Sequence, residues 1–237
     1  MSRIAFVTGV ASGIGRAVAT RLQAGGDTVV GFDRVDDGPA GVEVVVGDVT
    51  ERSSVDGAVA AVAERHGRLD VVVNVAGVAQ IGRIEDIDDD EWRRVLDVNL
   101  TGPFLVCRAA VPHLRASRGC IVNIASIAGL EGQAYTAAYS ASKGGVVLLT
   151  RSLAVELALD GVRVNCVCPA GVDTPLMLEV ATRMPADLDP RLVDRLQMLM
   201  PGFIAADEVA GAVAYLASDD ARTITGHALT IDGGRSA

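Results

Sequence analysis

Aromatic residues make up only 3% of the 237-residue chain: one Trp, three Tyr and four Phe. A core of stacked rings is excluded, and Val, Ala, Leu and Ile have to fill it. Cysteine is scarce too, with Cys107, Cys120, Cys166 and Cys168 set among apolar residues and none in a CxxC pair. Buried free thiols are the default for such positions. Cys166 and Cys168 sit two apart in an extended run and so share a face, which leaves a zinc or disulfide role open. Cations are outnumbered, 21 Lys and Arg against 30 Asp and Glu, for a formal charge of −9. That balance argues against nucleic acid or an anionic membrane as a partner, because both need clustered cations to neutralise phosphates. No stretch reaches about eighteen uninterrupted apolar residues, and the start "MSRIAFVTGV" is too short for a secretory signal. A cytoplasmic protein is expected, and with no linker in the chain a single domain over residues 1–237.

Half of the residues are hydrophobic and 26 are Gly. Short β-branched runs alternate with segments of helical period, the pattern of repeated βαβ units. Strands are expected at "RIAFV", "TVVGF", "VEVVVG", "LDVVVN", "CIVNIAS", "VRVNCVC" and "HALTI". Helices are expected at "GIGRAVATRLQAGG", from Glu51 to His66, from Asp88 to about Ser117 with a disturbance at Gly102-Pro103, from Tyr139 to Asp160, and from Asp207 to Ser218. Between Pro169 and Ala206 the alternation lapses. The fold class is α/β: a doubly wound Rossmann fold with a mostly parallel seven-stranded sheet and helices on both faces. Ligands of such a sheet bind outside the carboxyl ends of the strands. The polar outliers fall there: "TGVASGIG" after the first strand, Asp33 after the second, Asp48 after the third, "NVAG" after the fourth, Ser126 after the fifth and "PAGVDT" after the sixth.

"TGVASGIG", Thr8 to Gly15, lies between a strand and a helix and carries Gly9, Ser12, Gly13, Ile14 and Gly15. Its glycines permit close backbone approach, and the helix start offers free N–H groups and a positive dipole end to a pyrophosphate. Asp33, 24 residues beyond Gly9, stands where an acid bonds the adenosine ribose hydroxyls and repels a ribose phosphate, which selects NAD as cofactor. Arg34 pulls the other way, since a guanidinium there attracts the extra phosphate of NADP; NAD is favoured because the acid holds the strand-end position. Asp48 can bond the adenine amino group or cap a helix beginning near Thr50.

In "AYSASKGG", Tyr139 and Lys143 are four apart and share a helical face. Tyrosine ordinarily titrates near pH ~10, too high for a base at neutrality, and a nearby ammonium or a cationic nicotinamide lowers that value. Tyr139 is therefore a candidate general base for alcohol oxidation and general acid for carbonyl reduction. Ser126 can donate a hydrogen bond to the substrate oxygen, and Asn99, in the irregular "DVNLTGPF", can hold a water that connects Lys143 to solvent.

These motifs together resemble the short-chain dehydrogenase/reductase family in its compact form, over Ile4 to Gly234: "TGVASGIG" is similar to its TGxxxGxG, "NVAG" to its NNAG, "YSASK" to its YxxxK, and "IDGG" to its terminal segment. The resemblance implies a catalytic tetrad of Asn99, Ser126, Tyr139 and Lys143, with Lys143 also on the nicotinamide ribose and hydride moving between a carbinol carbon and nicotinamide C4 without a metal. It further implies Val49 beside Asp48 at the adenine, Asn74, Ala76 and Gly77 along the adenosine half, and Pro169, Val172 and Thr174 at the carboxamide. Val75 departs from the second Asn of NNAG, where loss of a turn or sheet contact is expected. Ala170 departs from a usual Gly, where a narrower nicotinamide end is expected. Family members are commonly tetramers or dimers, so a homo-oligomer is expected through the long helices near Asn99 and Tyr139.

Residues 175–206 correspond to the family's variable substrate lid, and their Leu and Met side chains suit a bulky hydrophobic secondary alcohol or ketone such as a steroid, an acyl thioester or a cyclic alcohol. The same residues could instead pack on the core or on another subunit. Two rival readings remain: a dinucleotide-binding sensor without redox chemistry, and a fold relative that has abandoned the nucleotide.

Overall fold

Every β-branched run becomes a strand: β1 (Ile4–Thr8), β2 (Thr28–Asp33), β3 (Glu43–Val46), β4 (Val71–Asn74), β5 (Cys120–Ile124), β6 (Arg163–Pro169) and β7 (Ala228–Ile231). The structure, a computed structural model, describes residues 2–237 except 186, 196 and 201. Ala186, Leu196 and Pro201 of the expected lid thus lie outside the described residues. The strands pair in parallel in the order β3-β2-β1-β4-β5-β6-β7, as expected of the Rossmann class. The order reverses between β1 and β4, and the crevice at such a switch point is where ligands bind.

Helices α1 (Gly13–Ala24) and α8 (Ala206–Ala217) cover one face, packed on Val7, Val73 and Val122. On the other, α2 (Arg52–His66), α4 (Gly102–Ser117) and α5 (Ala137–Leu157) pack on Phe6, Phe32, Val72 and Ile121. Phe6 and Val7 are sequence neighbours on opposite faces, because strand side chains alternate. The only ring pair is Phe6 and Phe32, 5.7 Å apart among the described residues; elsewhere aliphatic side chains do the filling. All four cysteines are buried free thiols, and Cys166 and Cys168 share an apolar cluster beneath α5 with Val146 and Val147. Among the described residues no three metal-binding side chains meet, and no helix is long and apolar enough to cross a membrane.

The helix expected from Asp88 is two helices, α3 (Asp89–Leu96) and α4, joined by a π-helical turn at Asp97–Thr101. The irregularity lies one turn before Gly102-Pro103, because Pro103 has no N–H for the carbonyl four residues back, at Asn99. Asp88 caps α3 by accepting from the Glu91 N–H at 2.7 Å. The stretch expected to be irregular after Pro169 contains two helices, α6 (Pro175–Arg183), opened by its proline, and α7 (Pro190–Asp194).

The first turn of α1 passes so close to the end of β1 that a Cβ on Gly15 would stand 1.9 Å from the Gly9 carbonyl oxygen. Gly15→Ala should therefore cost about 3 kcal/mol or more, with backbone as the colliding partner. Gly57→Ala, exposed inside α2 with nothing near its Cβ position, should gain about 0.5–1 kcal/mol. Urea unfolding midpoints should move in opposite directions for the two variants.

Candidate active site

The strand ends of β1, β2 and β4 surround a cleft of about 320 Å³, lined by Gly9, Ser12, Gly13, Ile14, Gly15, Asp33, Arg34, Asp48, Val49, Ala76, Gly77 and Thr174. The loop is held open by its own backbone. Gly9 has φ +75, its N–H donates to the Phe32 carbonyl at 2.9 Å, and a Cβ there would meet Ala76 N at 2.9 Å. Thr8 Oγ1 accepts from the N–H groups of Val75 and Ala76, at 3.0 and 3.1 Å, and so ties the end of β1 to the end of β4. Ser12 occupies the N-cap of α1 with no side-chain cap bond, and the first turn carries no acid. A helix start left uncapped and facing a cleft suits an anion, so these residues fit the pyrophosphate of a dinucleotide.

At the end of β2, Asp33 Oδ2 accepts from Ala11 N–H at 3.0 Å, so the carboxylate also braces the glycine loop. Arg34 is exposed and lines the same cleft. Arg16 is engaged elsewhere: its guanidinium donates to the Ala11 carbonyl at 2.8 Å and pairs with Asp37 at 3.0 Å. Asp48 closes a turn on Thr50, accepting from its N–H at 2.9 Å and its hydroxyl at 2.8 Å. It is not the cap of α2, which starts two residues beyond Thr50 with Glu51 at its N-cap.

Asn74 stands apart from the cleft. Its amide donates to Asn123 Oδ1 at 2.8 Å beneath the sheet. Because Asn74 and Asn123 are register partners on β4 and β5, the bond braces the sheet. Val75, in place of the second family Asn, keeps the turn through its backbone bond to Thr8. Pro169 and Val172 also lie off the cleft wall: Pro169 ends β6 and its carbonyl accepts from Ser126 Oγ at 3.4 Å, and buried Val172 bridges to Ile204. Ala170 packs on the apolar clusters at either side of the sheet.

The reactive candidates meet behind Gly77. A Cβ at Gly77 would lie 3.3 Å from Asn99 Oδ1 and 3.7 Å from Lys143 Nζ. Lys143 is buried, and its ammonium donates to the Ile124 carbonyl at 2.8 Å, 5.8 Å from the centre of the Tyr139 ring. Two residues further on, α5 passes close to the π-helical turn, where a Cβ on Gly145 would stand 2.6 Å from the Leu100 side chain. The Ser126 hydroxyl hydrogen-bonds Tyr139 and accepts from the Ala128 N–H at 3.1 Å. Asn99 uses its whole amide as a brace: Oδ1 accepts from Val78 N–H at 2.8 Å, and Nδ2 donates to the Val78 carbonyl at 2.9 Å and to Ser142 Oγ at 3.1 Å. Ser142 in turn donates to the Tyr139 carbonyl at 2.7 Å. The side chain of Asn99 thus positions the Val78 backbone and Ser142.

Burial pushes the Tyr139 phenol up, with the Ser126 hydrogen bond opposing. The Lys143 ammonium points at the Ile124 carbonyl and lies beside the ring. Burial pushes Lys143 down from the ordinary 10.5 to about 8, opposed by the nearby Cys168 and Cys166 thiols.

Sequence reasoning missed Ser142 and Gln80. Ser142 is three residues after Tyr139 and so on its face, a signal that was available. Gln80, whose Oε1 accepts from Ala138 N–H at 3.1 Å at the head of α5, is joined to that helix only through the fold. The lid is tied down on the far side of the cleft, with Arg183 at the end of α6 paired to Glu91 of α3, and Arg83 paired to Asp187 at 2.7 Å.

A family model described as enoyl-(acyl carrier protein) reductase matches residues 9–236. The chain is 37% identical to a 3beta-hydroxysteroid dehydrogenase of Mediterraneibacter gnavus over 98% of its own length and 94% of the relative's. It is 41% identical to a cis-4-hydroxycyclohexanecarboxylate dehydrogenase of Sinomonas cyclohexanicum, over 99% and 97%. Among solved structures it is similar to a short chain dehydrogenase from Mycobacterium paratuberculosis bound to NAD, with TM-score 0.90, 30% identity and coverage of 98% and 97%.

The lowered value of Lys143 carries a pH dependence. Between about 8 and the unfolded value the folded chain has lost a proton that the unfolded chain keeps, so stability rises with pH across that window. Relative to Lys143→Met, the nucleotide-free parent should gain roughly 3 kcal/mol from pH ~8 to pH ~10.5. Urea unfolding of both proteins across that range checks it; a constant difference would refute the buried ammonium.

Proposed function

The chain belongs to the short-chain dehydrogenase/reductase family and is an oxidoreductase of CH–OH groups that interconverts alcohol and ketone, and we propose that it uses NAD on a hydrophobic secondary alcohol, with Tyr139 as general acid/base. The observation that carries this reading is the cluster at the head of α5: Ser126 bonded to Tyr139, with the Lys143 ammonium on the same helical face. A bound nicotinamide would supply the hydride chemistry. Ser126 donates a hydrogen bond to the substrate oxygen, and Tyr139 takes the proton from an alcohol or gives one to a ketone. The buried phenol is held in its protonated form, so proton uptake by Tyr139 depends on positive charge close by. Lys143 contributes that charge from beside the ring, and Asn99 holds the Val78 backbone that walls the reacting cluster.

NAD is supported by the Asp33 carboxylate in the cleft and by Arg16, whose guanidinium is committed to Ala11 and Asp37. The relative solved with NAD supports it also. One observation favours a second reading, an NADP-dependent 3-oxoacyl-type reductase: Arg34 is exposed at the same wall. A hydrophobic substrate is supported by Leu178, Leu199, Met200 and Phe203, exposed on the lid 175–206, and by relatives named for a steroid and a cyclic alcohol. Exposed Phe104 on α4 and Leu148 and Val155 on α5 support a homo-oligomer formed through those helices. We place the protein in the cytoplasm, a reading supported by its buried free thiols.

Tyr139→Phe should lower kcat by about 10²–10⁴-fold while nucleotide binding by calorimetry is kept; turnover equal to the parent's on its best secondary alcohol would sink the role. In the same screen, read at the nicotinamide absorbance, NAD should outperform NADP. Asp33→Ala should reduce kcat/KM for NAD by about 10–100-fold, the loss of a hydrogen-bonding charge. Higher activity of the parent with NADP would hand the cofactor to Arg34.

A further inference from the structure

A second, small cavity of about 40 Å³ lies away from the dinucleotide cleft, walled by Glu131, Gln133, Leu192, Arg195 and Arg235. Its place follows from the topology. The cleft sits over β3, β2, β1 and β4, whereas this cavity is built from the loop after β5, the lid and the segment after β7, at the other end of the sheet order. Residues 131–134 of the cavity wall belong to the loop that joins Ser126 to Tyr139. That loop is packed hard on the reactive helix: a Cβ on Gly129 would stand 2.6 Å from the Lys143 backbone. The lid reaches the cavity by docking on the chain end, where Met200 N–H donates to the Gly233 carbonyl at 3.0 Å and Met198 packs on the same glycine.

The cavity is cationic. Arg235 has a side chain only 8% exposed and is matched by Glu131 at 2.8 Å, with Asp232 behind it. Arg195 faces the cavity from the lid and has no carboxylate partner among the described residues. Every other lid arginine is paired, Arg183 with Glu91 and Arg191 with Asp189. In a chain of net charge −9, a guanidinium left without a counter-ion beside a cavity that holds only two or three water-sized groups matches a carboxylate, whose two oxygens a guanidinium bonds in a fork. The Gln133 amide can donate beside it.

We infer that the substrate carries, at the end remote from its reacting carbinol, a carboxylate that Arg195 and Gln133 bind in this cavity. The inference rests on the secondary-alcohol reading above and narrows it: an apolar body lies under the lid, with the oxidised carbon at Tyr139 and the anionic end at Arg195.

The probes are 4-hydroxycyclohexanecarboxylate and its carboxamide, equal in shape and differing in charge. With NAD, kcat/KM for the carboxylate should exceed that for the carboxamide by about tenfold or more, mainly through KM. Arg195→Gln should bring the ratio near one, and Arg195→Lys should keep part of it. Equal use of the two probes by the parent, or an unchanged ratio in Arg195→Gln, would overturn the inference. Calorimetry of cyclohexanecarboxylate and cyclohexanecarboxamide with the NAD-saturated protein and with Arg195→Gln reads the same site without turnover. Binding of the carboxylate that Arg195→Gln weakens, in a protein that oxidises neither alcohol, would leave the anion site standing and fail the alcohol reading alone. Binding of cyclohexanecarboxylate and cyclohexanecarboxamide with equal strength would fail the anion site.

Discussion

The hydrogen bond from the Lys143 ammonium to the Ile124 carbonyl fixes the phase of the whole site. It anchors a charge beneath the end of β5, and because α5 rises from that point, Tyr139 one turn earlier is set beside Ser126 at the strand's end. Close approach surrounds the bond. Gly145 admits Leu100 of the π-helical turn, and Gly129 admits the Lys143 backbone. The turn in its place brings Asn99 against Val78. Reacting cluster, cleft wall and irregular helix are thus parts of one packing arrangement, and the missing N–H of Pro103 is the local cause of its least regular piece.

The same burial that orders the cluster works against ionisation. An apolar surround favours neutral lysine and neutral tyrosine, and the thiols of Cys166 and Cys168 oppose that pressure only at Lys143. The phenol is opposed only by Ser126. An acid/base residue held protonated by its surroundings suits a site whose charge balance changes when a cationic ring enters, and on that reading the tyrosine is poised by what binds rather than by the folded chain alone.

Charge is distributed along the sheet in a way that matches the proposed substrate and cofactor. Asp33 faces the cleft at the β2 end, whereas the Arg195 cavity opens near β7. A dinucleotide and an anionic alcohol would then enter from opposite ends and meet at Tyr139. The lid spans both regions: α6 closes on Thr174 and Glu91 beside the cleft, and the residues after α7 dock on Gly233.

The strand segments, the cofactor loop and the Tyr139–Lys143 pair were legible in the chain because each depends on local rules. β-branched runs alternate with helical periods, glycines mark close approach, and i,i+4 spacing places two side chains on one face. The placement of the disturbance in the α3–α4 helix was off by a turn because a proline perturbs the hydrogen bond behind it. Other outcomes required partners distant in sequence. Asn74 turned to Asn123, and Asn99 gave its amide to Val78. Lys143 turned toward a strand carbonyl, and Arg195 came beside Arg235. The sequence by itself determined the layers of the fold and which side chains carry chemistry, since periodicity and residue type are written locally. The tertiary structure decided where those side chains point and how their charges are balanced, since burial and hydrogen-bond partners are settled only when remote segments compete for the same space.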